Sequence, residues 1–363
     1  MGFFRDNILK FAIIFIVVII FTIGFSFMFS KKKTVDESYG EMENNLKQAA
    51  INYVDANRQL LPKEEGTLKK VNLDTLVNAK KIKEMHAVED SNSVCTGYVT
   101  IVMKNKEYLF KPYIKCGRYY ETTTIAQHIQ DNEKIVSQED GLYKIDNKLV
   151  YKGENPKNYI MLGERMYRIM EINEDNELKL ISSERFDEYT TWDDRYNSER
   201  EDYSGINNFS KSRLKDFLNS VYKSDFFTDS DRAKISKHDI CVGKKSLSDT
   251  SIDGRAECSV VEKNQYVGII QTNEFMRASI DSGCKSSNNP ECVNYNYLYN
   301  VSNYLRTQNA VADNTYEVYY IDAGVASTTM AENNFTIYPV IYLDKDVLYK
   351  KGTGTLKNPY VVK

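Results

Sequence analysis

The pattern of hydrophobic and polar positions divides this chain into segments of different rhythm. Residues 11–30, FAIIFIVVIIFTIGFSFMFS, carry no charge between Lys10 and Lys31. At about 1.5 Å per helical residue such a run reaches about 30 Å, the thickness of a bilayer's hydrocarbon core. It is longer than a usual signal-peptide apolar region, and Phe29-Ser30-Lys31-Lys32-Lys33 offers no small-residue cleavage site. A retained transmembrane helix over 11–30, after a cytoplasmic N-terminus of residues 1–10, is therefore expected.

Beyond the lysines the period becomes helical and amphipathic. Tyr39, Met42, Leu46, Ala49, Ala50, Tyr53 and Val54 recur at three- and four-residue steps, which predicts one helix ending before Pro62. Residues 71–76 lead into a second short helix closing near Lys83. The period then falls to two. Tyr98, Thr100 and Val102 alternate on one arm, Tyr108, Phe110 and Pro112 on the other, around the polar bend Lys104-Asn105-Lys106-Glu107. Cys95 and Cys116 are equidistant from the Asn105/Lys106 midpoint, so they face each other across this hairpin at a separation that suits a bridge.

A polar stretch, residues 121–141, reads as a linker or short helix between a membrane-proximal domain (31–120) and a distal one (142–363). From Leu142 short alternating segments (149–151, 159–162, 166–172 and 178–181) arrive at the spacing of an antiparallel sheet, with turns at Gly163-Glu164 and 173–176. A helix is predicted from Ser210 to Tyr222 with Ser210 as N-cap, and a second from Thr272 to Ala278 after the strand 266–270. Later strands are expected at 315–321 and 337–343. The expected class is α+β: a single N-terminal transmembrane helix, a helix with a disulfide-closed hairpin, then an antiparallel-sheet α+β domain.

Charge narrows the partners. The chain has 48 basic and 51 acidic side chains; setting aside residues 1–33 leaves 43 and 50, a net charge of −7. Nucleic acid is excluded as a partner, because its phosphates need clustered Lys and Arg. The six cysteines give the compartment. Cys95 with Cys116, Cys241 with Cys258 and Cys284 with Cys292 form three local couples, and disulfides persist in oxidising compartments. Flanking lysines alone would point the C-terminus inward by the positive-inside rule; the cysteines overrule it, since large domains translocate with little regard for flanking charge. The expected location is the cell membrane, single-pass, with the C-terminal ectodomain outside the cytoplasm.

No catalytic motif emerges. The cysteines lack C-x-x-C spacing, and His86, His128 and His238 are scattered without partners at metal-ligand spacing. Nucleophile elbows, phosphate loops and dinucleotide fingerprints are absent. No cofactor is expected. Trp192-Asp193-Asp194 and Asn288-Asn289-Pro290-Glu291 offer oxygen ligands of the kind calcium uses, though neither has EF-hand spacing. The second lies in the tight loop between Cys284 and Cys292.

Several segments together resemble a known group. Asn158-Tyr159-Ile160, Met166-Tyr167-Arg168-Ile169 and Leu178-Lys179-Leu180-Ile181 are followed by 212–219, by 267–275 and by Tyr338-Pro339-Val340-Ile341-Tyr342-Leu343, ending in Gly352-Thr353-Gly354-Thr355 and Asn358-Pro359-Tyr360. In this order they resemble the DUF6273 domains of Firmicutes surface proteins, related to the C-type-lectin-like and formylglycine-generating-enzyme-like folds. The resemblance covers residues 142–363. It departs at Tyr304-Leu305-Arg306-Thr307, where the group carries Trp-Trp-Thr, and at Tyr338, where it carries Arg. Residues 34–120 are similar to pilin-like membrane-proximal domains in the order of helix and small sheet.

The function expected is non-catalytic binding or adhesion at a cell surface. The partners expected are a cell-wall glycan, a peptide or a surface protein, with the membrane engaged through residues 11–30. Candidate ligand contacts are Trp192, Asp193, Asp194, Asn288, Asn289, Glu291 and Arg306, polar and aromatic residues of the kind that loop-borne sites present. The alternative is a pilin-like or envelope-complex subunit that assembles through its N-terminal helix.

Overall fold

The computed structural model describes residues 35–104 and 106–363. They fall into two compact units, one ending at Thr122 and one running from Thr123 to Lys363.

In the first unit the periodic stretch forms the helix Val35–Asp55. Its Tyr39, Leu46, Ala49, Ala50 and Val54 are buried, the face that the three- and four-residue steps predict. They join one core with residues of a four-stranded antiparallel sheet. Its order is Leu68–Asn72, Thr96–Lys104, Glu107–Cys116, Tyr120–Glu121. The hairpin register runs without a slip from Thr96 opposite Lys115 to Lys104 opposite Glu107. That brings Cys95 and Cys116 together as a disulfide. The first strand escapes a sequence reading because Leu68, Lys69 and Lys70 are all exposed and only Val71 turns inward. Glu43 is buried, and it accepts hydrogen bonds from the Thr122 hydroxyl at 2.6 Å and the Tyr120 hydroxyl at 2.9 Å. Those bonds offset what burying a bare carboxylate would cost.

The second unit is built on a ten-stranded sheet. Its central path runs Ile235–Ser236, Val340–Leu343, Leu178–Ser182, Arg165–Ile172, Tyr159–Leu162, Tyr360–Val362, Tyr349–Lys351. Neighbours on this path are antiparallel except that Tyr360–Val362 runs parallel to Tyr159–Leu162. The last strand of the chain is thereby inserted beside one of the unit's early ones. The hairpin of Gly141–Ile145 and Lys148–Lys152 adds to Arg165–Ile172, and Val267–Gly268 adds to Val340–Leu343. A four-stranded sheet follows the order Lys244–Lys245, Tyr304–Val311, Glu317–Asp322, Val325–Met330. The helix Arg213–Lys223 buries Leu214, Leu218 and Val221 in the single core of this unit.

Four expectations are corrected or narrowed. Among the described residues no helix is long and apolar enough to cross a membrane. The 21-residue helix Val35–Asp55 has the length, but Glu41, Glu43, Lys47 and Asp55 are among its charges. The membrane helix expected at 11–30, with the N-terminus 1–10, lies outside the described residues. The described residues show an α+β class with extensive sheet and three disulfides. Next, the stretch 121–141, expected as a linker or a short helix, takes the second form. It holds the helix Ile125–Asn132, whose Ile125, Ala126 and Ile129 belong to the second unit's core, so its few apolar residues matter more than its polar majority. Finally, the helix expected from Ser210 starts at Arg213 and is capped by Ser212, whose hydroxyl accepts from Lys215 N; residues 209–211 form a short 3-10 turn. The strand expected from 315 begins at Glu317, because Asn314 Oδ1 takes the N–H groups of Tyr316 and Glu317 into a turn.

Removing the first unit's disulfide by a Cys95→Ala/Cys116→Ala double substitution is expected to cost it about 3 kcal/mol through the freed loop. Urea denaturation of the full chain, followed in reduced and oxidised samples, checks this.

Candidate functional site

A cleft of about 360 Å³ opens in the second unit. Its floor comes from three neighbouring strands. Glu171 lies opposite Lys179, and Lys179 lies opposite Tyr342, so one row crosses the sheet from acid to base to phenol. A bulge makes this row. The register between Arg165–Ile172 and Leu178–Ser182 slips by one residue after Ile169, which brings Glu171 rather than Met170 against Lys179. A bulge re-aims side chains in this way.

Lys179 is the centre of the site's electrostatics. Its side chain is only 5% exposed and it forms an ion pair with Glu274. Glu274 also caps its own helix, Thr272–Arg277, accepting from Gln271 N at 3.0 Å. Glu171 is paired with Lys148 at 3.0 Å. Burial opposes the charge on Lys179, yet Glu274, Tyr342 and Glu171 raise its pKa above the ordinary lysine value. Burial likewise would raise Glu171, but Lys179 and Lys148 outweigh it and hold the carboxyl below its ordinary 4.5. Beside the row, His238 stacks on the Tyr342 ring with centroids 3.7 Å apart, and its Nδ1 lies 3.2 Å from Glu177 Oε2.

The walls are held by covalent and steric devices. The Cys241–Cys258 disulfide lines the cleft and ties down the loop that carries Asp253 and Gly254. Gly254 has φ +83°, and a Cβ there would sit 2.5 Å from Asn273 Nδ2, so only glycine lets this loop close on the helix. Opposite, the turn of the hairpin 141–152 contributes Asp146, in a left-handed conformation at φ 54°, together with Asn147 and Lys148. Asn273 is buried, and its Oδ1 has no hydrogen-bond partner among the described residues.

The lining carries six carboxylates (Asp146, Glu171, Glu174, Asp239, Asp253, Glu274) against three cations (Lys148, Lys179, Arg277). The innermost charges are already paired with one another. The cleft therefore offers fixed, directional acceptors and donors rather than a bare ion, an arrangement for binding a polar molecule by hydrogen bonds.

The residues singled out from sequence go elsewhere. Trp192 is fully buried, and the backbone N–H groups of Trp192 and Asp193 both donate to Ala331 O. Its ring packs in the core because the loop that carries it is pulled inward, which removes it as a surface contact. Asp193 is fully buried too: Oδ1 accepts from Arg195 N and Ile206 N at 3.0 Å, and its carboxylate pairs with the Arg195 guanidinium. It fastens the loop. Asp194 is exposed and paired with Arg213. Asn288 Oδ1 accepts from the Ser286 hydroxyl, and Asn289 caps the turn Pro290–Val293 while donating to Gly283 O. Glu291 is exposed on that turn. Arg306 is buried in the strand Tyr304–Val311. None of these seven lines the cleft. Both loops raised for calcium spend oxygens on their own backbone, and among the described residues no group of three His, Cys, Asp or Glu side chains could hold a metal ion.

Sequence reading missed Lys179, Glu171, Glu274 and Asn273. One signal was present: Lys179 is the single charge in the apolar strand Leu178–Ser182, and a charge inside such a strand implies a buried partner. Comparison with family models, curated proteins and solved structures finds no match to this chain.

Substituting Lys179→Met strips Glu274 of its counter-charge, leaves Glu171 only Lys148, and is expected to destabilise the second unit by about 3–5 kcal/mol, measured by chemical denaturation. Glu171 has a lower pKa folded than unfolded, so its ionised form stabilises above about pH 4.5, and that contribution disappears as the pH drops below it. Melting temperature should fall on acidification from pH 5 toward 3, and the fall should be smaller in Glu171→Gln.

Proposed function

We propose that this chain is a non-catalytic binding protein of an extracytoplasmic compartment, and that the cleft of its second unit takes a neutral, polyhydroxylated ligand, a cell-surface glycan. The observation that carries this reading is the internally paired floor beside the orphaned Asn273 carbonyl. A free cation or anion as ligand would face opposing charges that already neutralise each other. Hydroxyl groups, which donate and accept, match acceptors such as Asn273 Oδ1 and the carboxylates of Glu171 and Glu274. The three disulfides support an oxidising location. The resemblance of residues 142–363 to surface-protein domains supports the same role, and two of the segments that carry it contribute Lys179, Asn273 and Glu274 to the cleft.

The test is a glycan and wall-fragment array probed with the full chain. A retained ligand is expected, and Asn273→Leu should weaken it about tenfold, the effect of one lost hydrogen bond in a buried site, with an unchanged circular dichroism spectrum. A full chain that retains nothing on arrays, wall fragments and peptide pull-downs removes the reading.

A further inference from the structure

Of the three cations that line the cleft, one is unmatched. Lys148 is paired with Glu171 and Lys179 with Glu274, whereas Arg277 makes no ion pair or hydrogen bond among the described residues. A further cation stands beside it. Gly153 N donates to Ala278 O at 2.9 Å, which sets Lys152 next to Arg277. Burial, and after it the Arg277 charge, push the Lys152 pKa below its ordinary 10.5. Lys152 lies over the Tyr143 ring, 5.1 Å from its centroid, so it brings Arg277 no counter-charge.

Arg277 shares its helix with the orphaned amide. Asn273 and Arg277 both belong to Thr272–Arg277, stand four residues apart and so on one face, and both line the cleft. Asn273 is 6% exposed and offers an acceptor, Oδ1, that has no partner among the described residues. Arg277 offers only donors. The residues between them are spent elsewhere: Glu274 on Lys179, Phe275 and Met276 in the core. One helical turn thus presents to a cleft of about 360 Å³ an unused acceptor and an unused set of donors.

We propose that this helix face reads a secondary amide on the ligand, so that the cleft selects N-acetylated sugars. The inference rests on the glycan reading of the cleft and narrows it. A trans amide carries its N–H and its C=O on opposite edges. The N–H donates to Asn273 Oδ1, and the carbonyl accepts from the Arg277 guanidinium in a charge-assisted bond. The group has no net charge, which suits the internally paired floor. A hydroxyl in its place has a single oxygen and does not span two side chains about 5–6 Å apart at their Cβ atoms. A free amino group would be protonated, and the charges of Arg277 and Lys152 repel it. Val150, Met170 and Ala278, in the same lining, offer apolar surface to the acetyl methyl.

Three trisaccharides of one backbone separate these groups: chitotriose carries an acetamido group on each ring, cellotriose a hydroxyl at the same carbon, and deacetylated chitotriose an ammonium. Titration calorimetry with the full chain should find chitotriose bound about tenfold more tightly than cellotriose, and the deacetylated trimer most weakly. In Arg277→Met the ratio of chitotriose to cellotriose affinity should fall to near one, and Arg277→Lys should restore part of it. In parallel, the 15N-labelled Nε–H resonance of Arg277 in the wild type should move with chitotriose and stay with the deacetylated trimer, a readout that needs no variant to fold. Equal affinity for chitotriose and cellotriose, a ratio unchanged in Arg277→Met, or tightest binding of the deacetylated trimer overturns the selectivity and leaves the glycan cleft standing. So does a chain that ignores all three trimers yet retains another glycan on the array. A chain that retains none anywhere loses both readings.

Discussion

A lysine buried within an apolar strand is the constraint on which the second unit depends. Lys179 cannot occupy the sheet uncompensated, because a desolvated charge without a partner outweighs the stabilisation that a whole domain has to spare. Its compensation comes from two directions, the helix-capping Glu274 and the bulge-shifted Glu171. Each of those groups has a second duty. Glu274 closes the first turn of its helix, and Glu171 holds Lys148 of the neighbouring hairpin. One charge therefore ties together a strand, a helix terminus and a hairpin, and the cleft is the space left between them.

The covalent links work by a different principle. All three disulfides join cysteines close in the chain, at separations of 21, 17 and 8 residues. They secure excursions locally and leave the cores to form by burial of apolar side chains. Cys95–Cys116 closes a hairpin already in register. Cys241–Cys258 holds a wall of the cleft. Cys284–Cys292 bounds the loop in which Asn289 caps a turn, and Ala326 N of the edge strand Val325–Met330 donates to Ser287 O in that loop.

Polar residues in the loops serve the loops. Asp193, Asn197 and Asn289 each bind backbone groups a few residues away or across a neighbouring turn. This is why a search for exposed acids and amides finds fasteners and not contacts. Asn273 Oδ1, which lines the cleft, is one of several buried side-chain atoms left without a hydrogen-bond partner among the described residues. There the surrounding packing has withdrawn both water and protein partners.

Much of the local structure was legible. The helical period from Tyr39 to Val54 and the symmetry of Cys95 and Cys116 about their turn are properties of neighbouring residues, and neighbouring residues are what a sequence displays. The strand Leu68–Asn72 was not, since an edge strand with one inward side chain has no alternation to read. The helix Ile125–Asn132 was legible only as one of two readings of its stretch, because three buried residues sit there among polar ones. The cleft was illegible for a stronger reason. Glu171, Lys179, Glu274 and Asn273 stand far apart along the chain, and a one-residue bulge decides which side chain of Arg165–Ile172 meets Lys179. By itself, the sequence determined short-range order: periods, turns, caps and the pairing of nearby cysteines. Only the tertiary structure decided which charges face one another and which polar atoms lose water, because register and burial arise from contacts between segments that the linear chain keeps apart.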